Sequence, residues 1–287
     1  KAFGFLDGGR GLVGALFGAL GIFIFTLFIS TEISEATILE SKEAFKYVIV
    51  ISSCLVFLVG FLVWFFMKMD TKIEKEIVLD KITPAQIKEV LQLPSVKLLM
   101  VIILCAYVGY KITDVFSLYA NDVMNYDQVE SAQVGTLLLV IRPFIGIFIG
   151  VLADRSQTTF WLIISFIITF FGALIFASGI ISSSTTALFF LSIIIVATGV
   201  YAARSLYFAV MEKGQIPLVL TGTVVGLISL IGYTPDIFSG PVIGFLLEKS
   251  PGEQGHQHVF LMLAIFSFIG SLASWYYYRF YKSNNNE

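Results

Sequence analysis

Eight apolar runs, at roughly 10–29, 46–67, 96–119, 131–152, 159–179, 186–209, 219–247 and 257–280, divide this chain of 287 residues. Each is long enough to cross about 30 Å of hydrocarbon as a helix, which takes about 20 residues. A helix is the form such a run has to take, because in lipid every backbone polar group must be bonded within the segment. Most connections are short. The exception runs from Lys68 to Ser95 and is polar and rich in lysine. Within it, Thr83-Pro84-Ala85-Gln86 reads as an N-cap, a proline at the first helical position and a capping-box glutamine. With Ile87, Val90 and Leu91 on one face before Pro94, this predicts a short interfacial helix.

Composition agrees with a lipid solvent. Hydrophobic residues make up 57% of the chain and charged residues 13%, where a soluble domain carries about 25% charge. The mean hydropathy is +0.90. A net charge of −2 leaves no basic stripe to neutralise phosphates, so nucleic acid is excluded as a partner. Cys54 and Cys105 lie inside apolar runs without CxxC or zinc-ligand spacing and read as small hydrophobes. Asp7 and Arg10 near the start rule out a secretory signal, and the beginning reads as a cut through a loop. Placing that beginning inside puts twelve Lys and Arg residues in inner segments and only Lys42, Lys46 and Lys249 in outer ones. By the positive-inside rule both ends are cytoplasmic.

At the end of the fourth run stands Gly150-Val151-Leu152-Ala153-Asp154-Arg155. A Gly-x-x-x-Asp-Arg turn between two membrane helices resembles the cytoplasmic hinge signature of the major facilitator superfamily of secondary transporters. Ser156-Gln157-Thr158-Thr159 follow here, in place of the family's second glycine and basic cluster. The order of two helices, a long basic inner linker and six helices also fits that family's plan of two six-helix bundles. The resemblance implies an all-α integral membrane protein. Residues 1–67 would be the last two helices of an N-terminal bundle, 68–95 the cytoplasmic linker, and 96–287 the complete C-terminal bundle. It also implies that Asp154, with Gly150 and Arg155, latches the cytoplasmic start of the first helix near Gly8-Gly9-Arg10-Gly11, where Arg10 adds a charge pair. A carboxylate at a helix N-terminus gains about 0.3–1 kcal/mol.

Ionisable residues at membrane depth cost at least about 2.5–3.5 kcal/mol each, so each needs a reason. Arg142 lies near the midplane of its run, next to Pro143. Its fork suits a carboxylate or phosphate substrate, and a structural ion pair with Asp236 or another acid is the other role open to it. Lys111 and Asp114 are three apart on one helix, placed either for a substrate or proton site or as a mutual pair. Asp236 lies in Gly232-Tyr233-Thr234-Pro235-Asp236-Ile237-Phe238-Ser239-Gly240-Pro241, which predicts a discontinuous helix. There it could carry a proton or answer Arg142. Arg204, eight residues before Glu212, is expected to snorkel to the cytoplasmic surface. Gly14-x-x-x-Gly18 on the first helix predicts close helix packing. His256-Gln257-His258 is read as a solvated loop without a third metal ligand.

These residues add up to an expected secondary transporter of a bacterial inner membrane. It moves a small polar solute, an organic anion by preference, through alternating access. Arg142, Lys111 and Asp236 would bind the solute, and Asp114 or Asp236 would couple to a proton or counter-ion. A neutral sugar-like or drug-like solute, or a non-transporting sensor on the same fold, is the alternative. No metal, cofactor or enzymatic motif is expected, and the working unit is expected to be a monomer in the bilayer.

Overall fold

The computed structural model describes residues 2–29, 38–66, 84–210 and 221–284. Among them the secondary structure is helical throughout, in eleven elements. α1 (Ala2–Phe28) and α2 (Ile38–Phe66) are followed by the short α3 (Pro84–Gln92). Then come α4 (Pro94–Ile112), α5 (Val115–Asp122), α6 (Gln128–Arg155), α7 (Thr158–Ala177) and α8 (Thr186–Leu206). α9 (Thr221–Gly232), α10 (Pro235–Lys249) and α11 (Glu253–Asn284) complete the chain. Eight spans are long and apolar enough to cross a membrane, as the run pattern predicts. Thr83 and the lysines of 68–81 lie outside the described residues, but the helix expected after them is present. Its Val90 is buried in the core, so α3 is docked on the bundle as well as lying at its edge.

Two of the spans are interrupted. The run at 219–247 breaks between α9 and α10, with Pro235 opening the second piece. The run at 96–119, expected to be one helix, breaks at Thr113-Asp114. Both breaks are tightened turns with i→i+3 bonding, the geometry of a 3₁₀ step. Thr113 N donates to Tyr110 O at 3.2 Å and Phe116 N to Thr113 O at 3.4 Å. Thr234 N donates to Ile231 O at 3.1 Å and Ile237 N to Thr234 O at 2.9 Å. In each break a threonine hydroxyl also bonds the carbonyl three residues back, at 2.6 Å for Thr113 and 2.7 Å for Thr234. These bonds satisfy carbonyls that a regular helix would have paired with amides.

α4 is central and packs against α8, α9, α10 and α11. Two apolar clusters fill the bundle, one above the other. The inner one takes α4 residues up to Ala106, with Phe166 and Tyr277. The outer one begins at Val108 and holds Phe116, Tyr119, Phe176, Phe189 and Phe260, with the Phe176 and Phe260 rings stacked at 4.4 Å. The level between the clusters is where the polar side chains gather.

α1 lies antiparallel along α6, and its glycines set the closeness. A Cβ on Gly11 would stand 3.0 Å from Pro143 Cδ and 3.1 Å from Arg142 Cγ. One on Gly14 would meet Leu139 at 3.5 Å, and one on Gly18 would meet Thr136 Oγ1 at 2.9 Å. The expected glycine contact is therefore made, and it begins one turn earlier, at Gly11. It brings α1 against the stem of Arg142. α6 itself starts with a full capping box: Asp127 Oδ1 accepts from Val129 N and Glu130 N, and Glu130 Oε2 accepts from Asp127 N. This box anchors the register that sets the depth of Arg142.

Replacing Gly11 by Val should overpack the α1–α6 contact and lower stability by about 1–3 kcal/mol. Gly9→Ala, where an added Cβ meets open space, should change stability by no more than about 1 kcal/mol, and in the stabilising direction. Thermal unfolding of both variants in detergent checks the contrast, and an unchanged melting point for Gly11→Val would rule out the close contact.

Candidate functional site

Lys111 leaves α4 where the helix tightens into its break, and its Nζ lies 3.2 Å from Asp236 Oδ1 on α10. The expected partner on its own helix, Asp114, is not the one it reaches. Tyr107, one turn earlier on α4, donates its hydroxyl to Asp236 Oδ2 at 3.0 Å. Asp236 sits in the first turn of α10, directly after Pro235. The break thus supplies a helix N-terminus whose dipole favours the carboxylate. The pair is partly open, with side-chain exposures of 30% for Lys111 and 50% for Asp236. A pair so open is worth at most about 1 kcal/mol as a fastener.

Arg142 is buried on α6 at 4% exposure. Its Nη1 lies 3.4 Å from the Tyr110 hydroxyl, and its guanidinium is 5.3 Å from the centre of the Tyr110 ring and 6.0 Å from that of Tyr201. The ion pair with Asp236 left open by the sequence is replaced by the Lys111–Asp236 pair. Arg204 of α8 overturns its expectation as well. Its guanidinium stacks on the Tyr110 ring at 3.7 Å and lies 5.3 Å from that of Tyr107. A helical side chain points back towards the N-terminus of its helix. On the positive-inside orientation α8 descends to the cytoplasm, so Arg204 projects into the bundle and away from the inner surface.

One cluster therefore joins Lys111, Arg142, Arg204 and Asp236 through the faces and hydroxyls of Tyr107 and Tyr110. Tyr233, at the α9–α10 break, lies 4.7 Å from Tyr107. The tyrosines are what sequence reasoning missed, while Arg204 was singled out and placed at the wrong level. A phenol deep in an apolar run is a polar group at membrane depth, and applying the same test to Tyr107 and Tyr110 as to the ionisable residues would have flagged them.

Beside this cluster, between α1, α2 and the α4–α5–α6 side of the bundle, lies a cavity of about 490 Å³. That is within the range of small-molecule sites. Tyr110, Thr113, Asp114, Ser117, Thr136 and Tyr201 give it its polar lining. Asp114, the residue at the N-terminus of α5, makes no side-chain cap there and faces the cavity. Arg142 reaches the cavity through Tyr110. The break that the run pattern missed is thus what turns Asp114 and Thr113 to the cavity.

The expected cytoplasmic gate is partly in view. Gly150 is buried near the end of α6, and Asp154 and Arg155 are exposed in its last turn. Ser156 follows, accepting from Trp161 Nε1 at 2.6 Å. The antiparallel register of Gly11, Gly14 and Gly18 against residues 143, 139 and 136 places Asp154 level with the start of α1. That helix already runs from Ala2, and Arg10 stands one residue from Gly11, level with the Arg142–Pro143 step. The side chain of Arg10 lies outside the described residues.

His256 also departs from its reading. It is fully buried in the first turns of α11, with Nε2 3.0 Å from Asp122 Oδ2 and its ring edge-on to Tyr119 at 5.1 Å. This pair ties the outer end of α5 to α11. No group of three metal-binding side chains occurs among the described residues.

The described helices thus form a bundle of membrane spans, two of them interrupted, beside a cavity lined by Asp114, Tyr110 and Tyr201. The family model of the Major Facilitator Superfamily matches residues 1–239, and the chain belongs to that superfamily. It is 24% identical over 277 residues to the inner membrane protein YqcE of Escherichia coli (strain K12), covering 91% of this chain and 61% of that protein. It is 35% identical over 75 residues to the inner membrane protein YihN of the same organism, covering 26% of this chain and 18% of that one. The chain thus spans about three fifths of the length of YqcE.

His256→Gln and Asp122→Asn are each expected to lower stability by about 1–3 kcal/mol, since each leaves a polar group with an impaired partner. His258→Gln serves as the control and should stay within about 0.5 kcal/mol. Thermal unfolding of the three variants decides it, and equal behaviour of His256 and His258 would count against the clip.

Proposed function

We propose that this chain is part of a secondary active transporter of a bacterial inner membrane that moves a small organic anion by alternating access. α1 and α2 are then the last helices of an N-terminal bundle, α4 to α11 form the C-terminal one, and both ends face the cytoplasm. The observation that carries the anion is the convergence of Lys111, Arg142 and Arg204 on Tyr107 and Tyr110 beside the cavity. A carboxylate or phosphate entering past Tyr110 meets a planar, bidentate donor in either arginine. Arg142, Lys111 and Asp236 are its binding residues in this reading, and Arg204 joins them. The transporter works as a monomer and performs no covalent chemistry.

Asp114 is the preferred coupling group. Asp236 is engaged by Lys111 and Tyr107, whereas Asp114 faces the cavity, where a proton or counter-ion can reach it. Asp154 at the end of α6, opposite the start of α1, is assigned the cytoplasmic latch, with Gly150 and Arg155 shaping its turn. A neutral, sugar-like solute is the second reading, favoured by the tyrosine faces on the site (Tyr110 and Tyr201 line the cavity), which suit stacking against a polyol ring.

Thermal-shift screening of the full-length protein against anionic and neutral metabolites tests the substrate class. An anion at 100 times its Kd should stabilise the wild type by about 2.7 kcal/mol and Arg142→Gln much less. Stabilisation of both proteins by a neutral solute alone would remove the anion and leave the fold-based transport reading. For coupling, Asp114→Asn should flatten the pH dependence of counterflow through the full-length protein in vesicles. A pH profile unchanged from wild type would take that role from Asp114.

A further inference from the structure

The wall of the cavity stops one helical turn short of both arginines of the cluster. Leu138 of α6 lines it and Arg142, four residues further on, does not; Tyr201 of α8 lines it and Arg204, three residues further on, does not. Tyr110 of α4 belongs to both levels. It lines the cavity, its ring face carries the Arg204 guanidinium at 3.7 Å, and its hydroxyl meets Arg142 Nη1 at 3.4 Å. The phenol therefore stands between the cavity and both guanidiniums.

Of Tyr107, Tyr110 and Tyr201, Tyr110 is the one placed to move. Tyr201 is 1% exposed and enclosed by the bundle. Tyr107 is held by its hydrogen bond to Asp236 and by the Tyr233 ring at 4.7 Å. Behind it α9 packs tightly on α4, since a Cβ on Gly232 would collide with Ile103. Tyr110 is half-buried, has the cavity in front of it, and sits where α4 tightens into its break. Its tie to Arg142 is weak as well, because 3.4 Å lies beyond the about 2.7–3.2 Å of ordinary N–H···O hydrogen bonds. The contact with Arg204 is the stronger one, since a cation on a ring face gains most when it is desolvated.

We propose that Tyr110 is a specificity-determining residue of this site: its side chain shields Arg142 and Arg204, and a solute reaches them only by displacing it. The contact with Arg204 sets a threshold that every entering solute has to exceed. At Arg142 the solute takes over the place of the phenol oxygen. A carboxylate or phosphate does so with charged oxygens, whose hydrogen bonds to a guanidinium are shorter and stronger than that of a phenol. A neutral hydroxyl only replaces like with like, so the exchange favours the anion. This deepens the anion reading and rests on it for the chemistry of what is admitted, whereas the shielding rests on the geometry around Tyr110.

Labelling of the purified full-length protein with butanedione, a neutral arginine-selective diketone, read by peptide mass spectrometry, tests the shielding. Arg155, exposed at the end of α6, is the internal standard. In the wild type Arg142 and Arg204 should react far more slowly than Arg155. Tyr110→Phe keeps the ring over Arg204 and removes only the oxygen that faces Arg142. Arg142 should then react about threefold faster, while Arg204 stays within about twofold of its wild-type rate. Tyr110→Ala removes both contacts and should also speed Arg204 by about tenfold. Tyr110→Phe is the conservative variant and should fold, so its contrast between the two arginines decides the matter even where Tyr110→Ala yields no folded protein. Wild-type Arg142 and Arg204 reacting as fast as Arg155 overturns the proposal. So does a Tyr110→Phe protein in which the Arg142 rate is unchanged, or in which both arginines speed up equally, as general loosening would make them. No transported solute is present, so a failure here leaves the anion screen untouched, and a failed screen leaves the labelling result standing.

Discussion

Three cationic side chains inside the membrane-spanning part of this chain have to be accommodated without bulk water, and the arrangement around Tyr110 is how the fold does it. The Tyr110 ring receives the guanidinium of Arg204 on its face at 3.7 Å, and its hydroxyl receives Nη1 of Arg142 at 3.4 Å. A cation over an aromatic face contributes about 2 kcal/mol or more when desolvated, which is comparable with the cost of placing the charge at that depth. Lys111 is accommodated differently, by the carboxylate of Asp236. The polar level thus stays narrow, and the apolar clusters above and below it can close.

The interrupted helices follow from the same requirement. Asp236 can meet Lys111 because α10 starts at Pro235, which places the carboxylate in the first turn of that half-helix, where the helix dipole favours it. Asp114 faces the cavity because α5 starts just after it. In both places a threonine hydroxyl takes over a carbonyl that the regular helix would have used. The two breaks, on neighbouring spans, therefore give the site its acids at the ends of half-helices, where alternate packings of the pieces cost least. The glycine stripe of α1 packs that helix against the stem of Arg142.

Much of the fold was legible from the order of apolar runs. All eight spans appear where the runs place them, and the superfamily resemblance read from Gly150 to Arg155 and the linker agrees with the family match. The site was legible residue by residue and not as a constellation. Arg142, Lys111, Asp114 and Asp236 stand out because charge in an apolar run is rare, and all four lie in or beside the cluster. Their pairing was not readable: Lys111 has Asp114 three residues away and yet reaches Asp236, 125 residues further on. His256 looked like a loop residue because a polar neighbourhood in sequence does not reveal that α11 begins at Glu253 and turns one face into the aromatic cluster.

The sequence by itself determined the number of spans and the presence of charge at depth. Those depend on quantities local to each segment: the length of an apolar run and the free energy of one side chain in hydrocarbon. Only the tertiary structure decided which charge answers which, that Arg204 turns inward onto Tyr110, and that the first long span of the six breaks at Thr113. Such outcomes depend on which helix lies next to which, and on the direction its side chains take when they arrive. In a membrane the apolar surfaces of all eight spans are nearly equivalent to lipid. The neighbours are therefore chosen by close-packing glycines such as Gly11 and Gly232 and by a few polar contacts, each made between residues far apart in the chain.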